Sequence, residues 1–155
     1  MTEGPGSVAS STPAIPRGTT LFVVTAALFT DALVYGIVIP FLPLYTDSLG
    51  LSESATGALF ASYALVLVAG AFVLPWLTLR WGIRRVMLAG FVGMIVSTAV
   101  FALAQSYPVL IAARAAQGLS AASTWSLGPA LLADVFTEGR GKALGTAISG
   151  SALGT

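Results

Sequence analysis

Apolar residues run along this chain in long blocks, and short polar stretches separate them. The blocks are Thr19 to about Tyr45, Ser54 to Leu79, Val86 to Gln105, Val109 to about Val135, and Ala143 to Thr155. Between them lie DSLGLSE (47–53), RWGIRR (80–85), Ser106-Tyr107-Pro108 and FTEGRGK (136–142). Each of the first four blocks is long enough, as a helix, to cross a hydrocarbon core of about 30 Å. The fifth, residues 143–155, would reach only about 20 Å. The pattern predicts an all-α integral membrane protein with four transmembrane helices and the start of a fifth. Ser52 or Ser54 suits a cap before the second helix, and Pro108 suits the start of the fourth.

Ahead of the first block, residues 1–18 are rich in Ser, Thr, Pro and Gly and show no apolar face. They read as a disordered cytoplasmic tail, with the membrane domain spanning 19–155. The tail and the second and fourth polar stretches hold Arg17, Arg80, Arg84, Arg85, Arg140 and Lys142, whereas the first and third hold no Lys or Arg. By the positive-inside rule the N-terminus is cytoplasmic.

Composition agrees with the pattern. Hydrophobic residues make up 56% of the chain and charged residues 8%, which cannot cover a water-facing surface. The net charge of +1 is too small to suggest nucleic acid as a partner. No cysteine and no histidine is present, so disulfides, iron–sulfur sites, thiolate metal sites, His-based triads and the common zinc sites are excluded. No cofactor and no metal is implied; the partner that composition requires is the bilayer.

Two charges stand well inside the spans, Asp31 and Arg114, with Asp134 at the very end of the fourth block. A carboxylate in hydrocarbon costs roughly 2.5–3.5 kcal/mol on insertion scales, so it is usually retained for a purpose. Counted from opposite membrane faces, the two residues differ by about 5 Å in depth. They line one cavity or pair directly. The functional reading is a proton-titrating or cation-binding carboxylate tuned by an arginine. The structural alternatives are an interhelical hydrogen-bond acceptor at Asp31 and an arginine that snorkels to the surface at Arg114. Tyr35 is four residues after Asp31, and Gln117 and Gly118 are three and four after Arg114, so each shares a helical face with its charge. Tyr35 is either a substrate contact or a packed aromatic. Gln117 is a hydrogen-bonding candidate, and Gly118 permits close helix approach. Pro40 and Pro43 bend or end the first helix. Arg80, Gly82, Arg84 and Arg85, with Asp134 at the same membrane face, form a candidate cytoplasmic gating cluster. Gly141, Gly145, Gly150 and Gly154 form two GxxxG pairs suited to close packing.

Four of these stretches together resemble the major facilitator superfamily, and within it the drug:proton antiporters and vesicular amine transporters. Asp31 followed by Pro40-Phe41-Leu42-Pro43 is similar to the family's first-helix pattern of an acid and P-x-x-P. RWGIRRVML resembles its signature G-x-x-x-D-R-x-G-R-R, with Pro75 and Leu79 replacing the first Gly and the Asp. Leu110-x-x-x-Arg114-x-x-Gln117-Gly118 resembles the fourth-helix motif, and ADVFTEGRGKALG the connection into the fifth helix. The resemblance implies a partial major facilitator fold: the front part of an N-terminal six-helix half, to be completed by a remainder of twelve or fourteen helices in all. It implies alternating access and export of a small cationic or lipophilic molecule in exchange for protons. Asp31 would bind substrate or proton, and Arg114 would couple them. The expected location is the plasma membrane, with an internal membrane as the alternative. Two other readings are a truncated fragment that associates with full-length transporters and a membrane enzyme. The second is disfavoured by the missing His and Cys.

Overall fold

The computed structural model describes residues 16–154, apart from the side chains at 42, 43, 45 and 48. It contains α1 (Arg17–Ser48), α2 (Glu53–Trp81), α3 (Ile83–Leu103), α4 (Tyr107–Val135) and α5 (Arg140–Ala152). Among the described residues there is no strand. Of the expected tail, residues 1–15 lie outside the described residues, while Arg17 and Gly18 already belong to α1.

At the helix ends, one of two alternatives falls away and one expectation is corrected. α1 does not end at its prolines. It continues through Pro40 and Pro43 to Ser48, as membrane helices can when neighbouring groups satisfy the freed carbonyls. The side chain of Pro43 is outside the described residues. The basic stretch 80–85 is not a loop of six residues either. Arg80 and Trp81 close α2, Arg84 and Arg85 open α3, and Gly82 alone joins the two helices. Gly82 has φ 81° and ψ 145°, a conformation that a Cβ would strain. Its N–H bonds to the Thr78 carbonyl at 2.8 Å, closing α2 as α3 begins.

By length and composition, three helical stretches can cross a membrane: Arg17–Phe41, Glu53–Trp81 and Ile83–Leu103. α4 is as long as α2, at 29 residues, but it is more polar. Arg114, Gln117, Ser120, Ser123 and Thr124 are all buried on it. α4 is the central helix of the set and packs against α2, α3 and α1, while α5 packs mainly on α1. Small residues make the close approaches. A Cβ at Gly118 would run into the backbone carbonyl of Tyr63, and one at Gly93 would come within 2.6 Å of Ser120 Oγ. In a bilayer such close packing, not water exclusion, holds helices together. Of the two GxxxG pairs, Gly150 and Gly154 abut Thr25 and the Phe29 carbonyl on α1, whereas nothing lies within 4 Å of a Cβ at Gly141 or Gly145.

The core falls into two apolar clusters. One holds Val24, Leu28, Leu74, Met87, Leu127 and Leu132, and the other holds Val38, Leu59, Phe101, Leu110 and Ala113. Along α1, Asp31 and Tyr35 fall between the members of the two clusters. Along α2 Tyr63 does so, and along α3 Thr98. The polar site is therefore a layer bounded by apolar packing toward both ends of the bundle.

Candidate substrate and proton site

Asp31 is only 5% exposed, and Trp125 of α4 donates its indole Nε1–H to Asp31 Oδ2 at 2.6 Å. Asp31 also lines a cavity of about 360 Å³ among α1, α2, α4 and α5. Tyr35, Tyr63, Leu67, Trp125 and Ser151 complete most of its wall. One carboxylate and three aromatic side chains thus face a single space.

Arg114 lies behind the tyrosines. It is 1% exposed, so the surface-snorkelling alternative is overturned. Its guanidinium carbon is 4.9 Å from the Tyr63 ring centre, 5.7 Å from Tyr35, 5.6 Å from Phe60 and 5.8 Å from Phe101. Those distances suit cation–π contact. Tyr35 and Tyr63 also meet each other, with ring centres 5.4 Å apart. One guanidinium nitrogen donates to Gln117 Oε1 at 3.1 Å, and Gln117 Nε2 donates to Thr98 Oγ1 at 3.2 Å. The remaining nitrogens, Nε and Nη2, are buried with no hydrogen-bond partner. Of the two arrangements open from sequence, direct pairing is not observed: Asp31 bonds to Trp125 and Arg114 to Gln117. Tyr35 and Tyr63 stand between the charges, and Asp31 is one turn of α1, roughly 5.4 Å, from Tyr35.

The other singled-out residues are elsewhere. Arg80, Gly82, Arg84 and Arg85 are exposed where α2 meets α3, and Asp134 is exposed near the end of α4, at the same end of the bundle. The side-chain hydrogen bond recorded there runs from Arg140 Nε to the Phe136 carbonyl at 3.0 Å. Pro40 is exposed on α1, away from the cavity lining. Among the described residues no group of three His, Cys, Asp or Glu side chains comes together as a metal site.

Sequence reasoning did not single out Tyr63, Thr98, Trp125 or the two phenylalanines. Trp125 carries a signal: it is eleven residues after Arg114, three helical turns, and so lies on nearly the same stripe of α4. The others come from α2 and α3, where nothing in the local pattern distinguishes them from packed aromatics.

Comparison with known proteins identifies the family. The sequence profile described as Major Facilitator Superfamily matches residues 24–155. The chain belongs to the major facilitator superfamily. An MFS-type transporter of Schizosaccharomyces pombe is 40% identical over 118 residues, covering 72% of this chain and 26% of that protein. A chromaffin granule amine transporter of Homo sapiens is 45% identical over 101 residues, covering 63% of this chain and 19% of that one. A probable vesicular acetylcholine transporter-B of Danio rerio is 35% identical over 158 residues, covering 92% and 31%. The chain therefore spans between a fifth and a third of the length of these relatives. As a member of this superfamily it is a multi-pass membrane protein, and the five helices are part of that fold.

Proposed function

We propose that the complete protein exchanges protons for a small organic cation by alternating access, with Asp31 as the shared binding group. The observation that carries this reading is a buried carboxylate that opens on a cavity walled by Tyr35, Tyr63 and Trp125. Aromatic faces beside a carboxylate suit an ammonium group, because the ring quadrupole and the anion attract the same charge. A proton and a monovalent cation each neutralise Asp31 once, so the two compete and one leaves as the other binds. The names of the similar proteins support an ammonium cargo, since they carry amines and acetylcholine.

Arg114 couples the two events through its ring of aromatics. Tyr35 and Tyr63 touch the cavity on one side and the guanidinium on the other, so occupancy of the cavity bears on how the arginine is held. Gln117 of α4 holds the guanidinium and is itself held by Thr98 of α3. The exposed Arg80, Arg84, Arg85 and Asp134, hinged at Gly82, gate the cytoplasmic end. Transport is outward across the plasma membrane, or into the lumen of an internal compartment, with the N-terminus in the cytoplasm.

The test is Asp31→Asn in the full-length protein reconstituted into vesicles with an imposed pH gradient. Asparagine keeps the size and an acceptor for Trp125 but holds no proton and no charge. Proton-driven amine uptake is expected to be abolished. Undiminished uptake would sink the role assigned to Asp31.

A further inference from the structure

We infer that Trp125 selects the kind of cation that Asp31 accepts, favouring a single-point ammonium donor over a two-pronged guanidinium. This rests on the proposed function above, in which Asp31 binds the cation. Trp125 has no part in that reading beyond forming cavity wall.

The argument begins with the carboxylate's two oxygens. A guanidinium binds a carboxylate best through two parallel N–H···O bonds, one to each oxygen. Here Oδ2 already accepts the indole N–H at 2.6 Å. Asp31 lines the cavity, and the indole bond makes Oδ2 the more crowded of its two acceptor oxygens. A tertiary ammonium needs only one oxygen, since it carries one N–H. Its alkyl groups can lie against the aromatic faces of Tyr35, Tyr63 and Trp125, where cation–π attraction reaches it. A guanidinium must crowd its second prong onto Oδ2 beside the indole N–H, give that prong up, or displace the indole. Displacement leaves a buried donor unpaired, and that penalty is specific to the two-pronged ligand.

Trp125 is suited to such a role by its setting. It is 39% exposed although it bonds to a nearly buried acid, so the ring borders open space while its N–H points into the protein. The neighbouring polar residues Ser123 and Thr124 are buried instead, at 2% and 6%. The tryptophan is therefore not simply filling the helix interface.

The experiment uses the purified full-length protein in lipid nanodiscs at one fixed pH. Calorimetry gives the affinities of N,N-dimethylphenethylammonium and phenethylguanidinium, which differ in the head group. Wild type is expected to prefer the ammonium. Trp125→Phe keeps the ring and removes the N–H, so both oxygens become free. The ratio of affinities should then move toward the guanidinium by about tenfold, the worth of one hydrogen bond to a charged group. A packing defect would weaken both ligands together and leave that ratio unchanged; that result overturns the inference. A wild-type preference for the guanidinium also overturns it, without need of any variant. Asp31→Asn separates the two levels of the argument. If both affinities survive that change, the proposed function fails and the role of Trp125 with it. If both are lost but Trp125→Phe leaves the ratio unmoved, only the role of Trp125 fails.

Discussion

At the scale of single residues, Arg114 is the sharpest anomaly in the molecule. It is almost wholly buried, yet two of its nitrogens have no partner. A buried charge that is so poorly paired is a poor stabiliser, and replacing such groups with apolar residues of similar volume is often neutral or stabilising by about 1–4 kcal/mol. Arg114→Met should therefore leave the melting temperature of the detergent-solubilised protein equal or raised, while proton-driven transport is lost. A variant that melts well below wild type would mean that the arginine is structural. The charges themselves were legible in sequence, because two ionisable residues in otherwise apolar spans announce themselves. Their partners were not. Tyr63, Phe60 and Thr98 belong to other helices, and the crossing of α2, α3 and α4 that gathers them around one guanidinium leaves no local trace.

At the scale of helices, Gly118 controls one of those crossings. Tyr63 lies where α2 and α4 touch most closely, so the same glycine sets both the helix spacing and the position of a ring over Arg114. Gly118→Ala should destabilise by about 1–3 kcal/mol, the usual cost of overpacking, and should weaken transport as the ring shifts. Gly145→Ala is the matched control. Its Cβ meets nothing within 4 Å, and alanine is the better helix former, so the change should be neutral or slightly stabilising. Thermal melts of the two variants, side by side, check the contrast. The GxxxG spacing alone does not predict it, because one pair in α5 packs on α1 and the other does not. A sequence pattern shows which faces permit contact, and the fold decides which are used. Helix existence was read well from hydropathy for the same reason that ends were read poorly. Apolar blocks mark the membrane, but α1 and α3 extend beyond their blocks into polar sequence, where hydrogen bonding rather than hydropathy sets the limit.

At the scale of the whole molecule, Arg84 and Asp47 lie at opposite ends of the bundle, both exposed. The described sequence carries no cysteine, so single cysteines placed at these positions report topology directly in a full-length protein otherwise free of cysteine. A membrane-impermeant maleimide added to intact cells should label Asp47→Cys and spare Arg84→Cys until the membrane is opened. The reverse pattern would invert the orientation drawn from the positive-inside rule. The packing also divides the bundle unequally. α2, α3 and α4 are held together by close glycine and serine contacts and by a hinge of one residue, and α5 rests on α1. The bond from Trp125 to Asp31 crosses the seam between these two groups. Under the function proposed above, whatever neutralises Asp31 also weakens this rivet, and the two groups of helices should then shear past one another more readily while cargo or proton is aboard.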